Sequence, residues 1–313
     1  MALTTRSILG AALLGALSVR LWPHRTRRLH PPLGRLLDLP SGQVHLIEGG
    51  PVNAPPTVLI HGSDGVTHDW PTSPLWERLV GDLRLIAPDR LGHGYTPPGP
   101  EVTVAANAQQ LSEVLDALNL KRVTLVGHSY GAPIALALAR QQPERVGALV
   151  LISPLAYPAP GLTRLLARLV AWPPLEWLVT RILLIPLGYA VVELEGSRAF
   201  APVPMPHAWR RMMRAFSLRR TQLLALAEEN RTISRELEGL VPGYAALRCP
   251  VLILAGQHDR LSPAEDHAVP LAQAIWGAEL NLLDGGHQLH WTHPDVVADT
   301  VRHATALGQA GER

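Results

Sequence analysis

A serine flanked by glycines, Gly127-His128-Ser129-Tyr130-Gly131, directly follows the apolar run Val123 to Val126 and precedes a helical stretch opening near Ala132. That setting gives a short pattern chemical meaning. A strand turning sharply into a helix presents its serine hydroxyl at the sheet's edge, in strained backbone geometry, near the positive end of the helix dipole. Gly127 and Gly131 stand where a side chain would collide with the neighbouring strand and helix. Ser129 is therefore expected as a nucleophile, the bland alternative being a glycine-rich turn whose serine only caps the helix.

A serine nucleophile needs a base and a group that orients the base. Both follow in the order Ser, Asp, His. The apolar run Val251 to Ala255 ends in Gly256-Gln257-His258-Asp259, and Leu280 to Leu283 ends in Asp284-Gly285-Gly286-His287. Asp259 and His287 are thus expected on loops at the same sheet edge as Ser129. An acid after the preceding strand would compete, but no Asp or Glu lies between Glu144 and Glu176. His290 and His293 lie close to His287, which is preferred because Gly285-Gly286 permits the tight loop before it. Asp284 is expected as a loop cap.

Acyl transfer also needs donors for a developing oxyanion. The backbone N–H of Tyr130 is one. The other is expected from His61-Gly62-Ser63-Asp64-Gly65, after the apolar run Thr57 to Ile60. Gly62 lets the chain approach closely, and the N–H of Ser63 is the second donor. His61 is expected as a structural hydrogen-bonding residue. Asp64 and His68 are placed between substrate contact and turn or cap roles.

The elements that must hold these residues follow from periodicity. Leu36 to Leu39 and Val44 to Ile47 flank Pro40-Ser41-Gly42 as an antiparallel hairpin. Thr57 to Ile60, Leu83 to Ala87, Val123 to Val126, Ala148 to Ile152, Val251 to Ala255 and Leu280 to Leu283 read as strands. Helical spacing appears at Ala105 to Leu118, Ala132 to Arg140 and Pro294 to Val301. The alternation implies an α/β fold with a mostly parallel sheet covered on both faces.

Residues 155–247 interrupt that alternation with helical periodicity and many prolines. One apolar stripe holds Leu162, Leu165, Leu166, Leu169 and Val170; another helix holds Met212, Met213, Phe216 and Leu218. A further apolar stretch runs through Trp172, Trp177, Leu183, Leu184, Ile185, Leu187, Tyr189, Val191 and Val192. This reads as a helical lid inserted between two strands. Its apolar stretch is expected either to pack on the core or to form an acyl-chain channel or membrane-facing surface. The organisation expected is 1–33 as an apolar and basic N-terminal segment with linker, 34–154 and 248–306 as the core, 155–247 as the lid, and 307–313 as a tail.

The 313 residues are 47% hydrophobic and 17% charged, enough for a large core. One cysteine, Cys249, excludes a disulfide framework or a cysteine-based zinc cluster. The 28 basic residues against 26 acidic ones give +2, but six arginines precede Asp38, leaving 22 against 26 beyond them. The body is mildly acidic, so nucleic acid is not an expected partner. Ser7 to Val19 is an uncharged apolar run whose helix would rise only about 20 Å, against the roughly 30 Å hydrocarbon core. With Trp22 at an interface and Arg20, Arg25, Arg27 and Arg28 on anionic headgroups, it is read as a membrane attachment with a cytoplasmic body. A cleaved signal peptide and a helix packed on its own domain are the rival readings; without attachment the protein would be cytoplasmic.

Together the motifs HGSDG, Asp89-Arg90-Leu91-Gly92-His93-Gly94, GHSYG, GQHD and GGHQLHWTHP resemble the α/β-hydrolase superfamily in its lid-bearing serine esterase, lipase and perhydrolase-like branch. The likeness spans about Leu36 to Ala306. It implies an eight-stranded, mostly parallel sheet, the triad Ser129, Asp259 and His287, and a lid after the sixth strand. Trp70, in the loop after HGSDG, matches an aromatic position often present there, expected to pack. Ser129 stands where the dehalogenase and epoxide hydrolase branches place an aspartate. The activity implied is cleavage of a small-molecule carboxylic ester through an acyl-enzyme, without metal or organic cofactor. Carbon–carbon bond hydrolysis, perhydrolase or acyltransferase chemistry with the same triad, and a non-catalytic binding protein are the other readings.

Overall fold

The computed structural model describes residues 5–63, 65–158 and 184–310. Eight strands form one sheet: β1 (Arg35–Leu39), β2 (Gly42–Gly49), β3 (Pro56–Ile60), β4 (Arg84–Pro88), β5 (Val123–His128), β6 (Val146–Ile152), β7 (Val251–Gly256) and β8 (Glu279–Leu283). Their spatial order is β1-β2-β4-β3-β5-β6-β7-β8. The pairs β1/β2 and β2/β4 are antiparallel, and the rest parallel. Every expected strand is present, each within one or two residues of its apolar run. Hydrophobicity tracks position: β5, β6 and β7, inside the sheet, are buried along their whole length, whereas β1 and β8, at its edges, are not.

Helices cover both faces. On one, α4 (Val104–Ala117) and α5 (Gly131–Gln141) pack Leu111, Val114, Ile134 and Leu138 against Leu125 and Leu149. On the other, α3 (Pro74–Leu79) and the C-terminal helix α11 (Pro294–Ala310) pack Leu75, Leu79, Val297 and Val301 against Val126 and Val150. Helix α11 continues to Ala310, four residues past the expected end of the core. Short helices α2 (Asp69–Thr72), α9 (Ala268–Ala274) and α10 (Leu289–Thr292) lie in the connections.

Between β6 and β7 stand three described α-helices of the insertion: α6 (Leu184–Phe200), α7 (His207–Ser217) and α8 (Arg220–Leu240). Val192, Phe200, Met212, Met213 and Phe216 form their own apolar cluster with Val66 of the core. The stripe Leu162 to Val170, with Trp172, Trp177 and Leu183, lies outside the described residues, as do the side chains of Leu184, Ile185 and Leu187. Of the rest of that apolar stretch, Val192 is buried, Tyr189 half-buried and Val191 exposed.

The N-terminal helix α1 (Thr5–Leu29) changes one expectation. Trp22 is not at an interface with lipid. It is buried, its indole N–H donating to the Ala215 carbonyl at 3.0 Å, and the Thr26 hydroxyl donates to the same oxygen at 2.7 Å. An indole surrounded by protein finds its polar partner in the C-terminal turn of α7. The expected linker is likewise tied down, with His68 Nε2 on the Pro31 carbonyl at 2.9 Å and His45 Nε2 on the Leu33 carbonyl at 2.5 Å. Among the described residues no helix is long and apolar enough to cross a membrane.

Candidate active site

Ser129 follows β5 with φ = 50°, in the left-handed region that non-glycine residues avoid. The turn is held from both sides: Ser129 N–H donates to Ile152 of β6, while its carbonyl accepts from Ala132 and Leu155. The flanking glycines serve close approach. A Cβ on Gly131 would lie 2.3 Å from the Ile60 carbonyl, and one on Gly127 2.7 Å from the Gly131 carbonyl. Strand β3, the start of α5 and the serine turn can share this space only without those side chains.

Asp259 and His287 meet as a buried pair, Nδ1 to Oδ2 at 2.7 Å. The other carboxylate oxygen, Oδ1, accepts from the N–H groups of Leu261 at 2.8 Å and Ser262 at 2.9 Å. Burial alone would push the Asp259 carboxyl up. The neighbouring His287 and the two N–H groups outweigh it and hold the carboxyl below its ordinary value. Because that value is depressed on folding, the stabilisation it represents is complete above the unfolded carboxyl's pKa of about 4 and is lost as pH falls through the lower folded value. Ser129 and His287 line one cavity of about 340 Å³ with no direct hydrogen bond between them. Such contacts are often long without substrate and tighten when it binds.

The segment expected to carry an oxyanion donor runs beside Ser129. A Cβ on Gly62 would lie 3.0 Å from the Ser129 Cβ, so the turn through residue 63 runs against it. Neither the Ser63 nor the Tyr130 N–H donates to another described residue. His61 is 1% exposed; burial, then the Arg90 and His93 charges, hold its imidazole well below the ordinary value. It is therefore neutral near pH 7 and accepts the Arg90 N–H at Nε2, 3.1 Å away, as a structural residue would.

The neighbouring histidines separate cleanly. His290 Nε2 pairs with Asp69 at 2.8 Å in the interior, so it stands behind the site as part of a second dyad. His68 is bonded to Pro31 and does not line the cavity; Asp64 lies outside the described residues. Asp284 bonds His258 Nε2 at 2.8 Å on the exposed side of its loop, and Trp70 is fully buried packing. Gly285 and Gly286 have no positive φ. They leave room for His293 and for the Ala201 carbonyl, which would meet their Cβ atoms at 2.7 and 2.3 Å.

Sequence reasoning missed two supports. His128, inside the serine motif itself, is kept neutral by burial and by His290 and His287, and its Nε2 donates to the His287 carbonyl at 3.1 Å. The His287 N–H in turn donates to the Ala199 carbonyl of α6 at 2.8 Å. The His287 loop is therefore clamped between β5 and the insertion. The cavity wall is mainly apolar, with Leu155, Trp209, Met213, Leu226, Ile233 and Leu261 around the polar end.

Comparisons with known proteins bear on the family and the fold. Residues 57–300 match the model of the alpha/beta hydrolase family. An uncharacterized protein of Mycobacterium tuberculosis is 29% identical over 250 residues, 75% of this chain and 70% of that one. A 2-hydroxy-6-oxo-2,4-heptadienoate hydrolase of Pseudomonas putida is 37% identical over 126 residues, 38% of this chain and 44% of that one. The crystal structure of an enol-lactonase from Burkholderia xenovorans superposes with a TM-score of 0.72 at 21% identity, covering 87% of this chain and 100% of that one. At that identity it speaks to the fold alone.

Proposed function

The chain belongs to the alpha/beta hydrolase family, and from that premise we propose that it is a serine hydrolase of carboxylic esters with an apolar acyl chain. The observation that carries the reading is His287, paired with Asp259 and lining one cavity with Ser129, whose backbone is held in the left-handed turn. Ser129 Oγ attacks the acyl carbonyl while His287 Nε2 takes its proton; Asp259 keeps the other nitrogen protonated. The N–H groups of Ser63 and Tyr130 receive the oxyanion. His287 then protonates the leaving alcohol, and water attacks the acyl-enzyme with the same base. The helical insertion acts as a lid that supplies the apolar wall.

A graded series of p-nitrophenyl esters tests the substrate class. Burial of each methylene is worth about 0.8 kcal/mol, so kcat/KM should rise by up to about fourfold per carbon until the cavity is full. Equal activity from acetate to decanoate would reject the acyl-chain reading. Product analysis with added alcohol or peroxide separates hydrolysis from acyl transfer and peracid formation. The heptadienoate hydrolase relative supports carbon–carbon cleavage as the second reading, tested by offering a vinylogous 1,5-diketone.

Peripheral membrane contact belongs to the same proposal. Arg20, Arg25, Arg27 and Arg28 on α1 are exposed, beside exposed Leu17 and Leu21. The protein should co-sediment with phosphatidylglycerol vesicles and be released by high salt. Equal recovery with neutral vesicles would remove the electrostatic part.

A further inference from the structure

Helix α8 of the insertion carries three polar residues, Gln222, Glu229 and Glu236, spaced by seven and therefore on one stripe. All three bond the core. Gln222 donates from Nε2 to the Gly65 carbonyl at 3.0 Å and accepts the Gly94 N–H at 3.2 Å. Glu236 accepts the Val104 N–H at the start of α4. Glu229, 1% exposed, pairs with the equally buried Arg90, which follows β4.

Arg90 passes the contact on. Its Nη2 donates to the Gly62 carbonyl at 2.8 Å, to which His61, protonated at Nδ1, also donates at 3.1 Å, and its guanidinium lies 4.7 Å over the Tyr130 ring. The Ser63 hydroxyl donates to the second Glu229 oxygen at 3.5 Å. The Gly62 carbonyl and the Ser63 N–H belong to one planar peptide unit. Whatever fixes that carbonyl fixes the direction of that N–H. A cation on the carbonyl also polarises the N–H, making it a stronger donor.

The pair is poorly explained by stability. Removing two charges from water costs as much as their attraction returns, and apolar residues of similar volume often serve as well. We propose that Glu229 is a positioning residue: by holding Arg90 on the Gly62 carbonyl, it aims the Ser63 N–H at the oxyanion, so the insertion and the oxyanion hole are set as one unit. This rests on the serine-hydrolase reading above. It predicts that a displaced α8 disables the chemical step even with Ser129, His287 and Asp259 in place.

The test uses the full chain and two variants, Glu229→Gln and the double variant Arg90→Met/Glu229→Leu. It reads kcat and KM on a p-nitrophenyl ester, the rate of labelling by a fluorophosphonate, and the melting temperature. In both variants kcat and labelling rate should fall together by about 10- to 100-fold, part of the 10²–10³ that a lost oxyanion donor costs. KM should change less than about threefold, because uniform binding is untouched. The double variant should melt no lower than the wild type and stay slow. A double variant that regains the wild-type kcat, or a Glu229→Gln variant altered in KM alone, makes the pair merely structural and overturns the inference. A wild type that neither hydrolyses esters nor labels sinks the serine-hydrolase reading, and this inference with it. An active wild type beside an unimpaired Glu229→Gln sinks this inference alone.

Discussion

Ser129→Ala should abolish fluorophosphonate labelling and lower ester hydrolysis by about 10⁶-fold in kcat, the loss typical when a triad nucleophile is removed. The size follows from what the hydroxyl does. Without it no acyl-enzyme forms, and the remaining groups act only through the oxyanion donors and substrate binding. The fold should survive. Ser129 is held by backbone bonds, its N–H to Ile152 and its carbonyl to Ala132 and Leu155, and alanine keeps all three. Alanine also bears the φ of 50° no worse than serine, since both carry a Cβ. An unchanged melting temperature with no labelling is the expected pair of results. Labelling that persists at full rate would place the nucleophile on another serine.

Asp259→Asn should lower kcat by about 10⁴-fold with little effect on KM, the scale seen when a triad aspartate loses its charge. Here the geometry adds a reason. Oδ1 of Asp259 is claimed by the N–H groups of Leu261 and Ser262, so an asparagine would keep its carbonyl oxygen there. Its NH₂ would then face His287 Nδ1, where Oδ2 now accepts at 2.7 Å. A donor there favours the imidazole with Nδ1 bare and Nε2 protonated, which cannot take the proton of Ser129. Activity within tenfold of the wild type would show that Asp259 does not set the tautomer. The contribution that Asp259 itself makes to stability, lost on acidification, should also disappear, because that carboxyl is gone.

The inner strands were legible because burial on both faces demands continuous apolar runs, and Val123 to Val126 and Val251 to Ala255 have no other use. The short helices Asp69–Thr72 and Leu289–Thr292 were not, since four residues show no periodicity. They nonetheless bring Asp69 and His290 into the second buried dyad, a pairing across 221 positions that no local signal encodes. Trp22 was misplaced for the same reason. An aromatic beside arginines looks interfacial until the Ala215 carbonyl is seen to satisfy its N–H.

The order of glycine, serine, aspartate and histidine after successive apolar runs sufficed to pick out the candidate groups, because strand ends at one sheet edge bring their loops together whatever lies between. How those groups are held depended on contacts between distant segments. That His128 supports the His287 carbonyl, that α6 caps its N–H, and that Glu229 reaches Arg90 all turn on which surfaces pack against which. Such packing is a property of shape and desolvation across the whole molecule, and spacing along a chain carries no record of it.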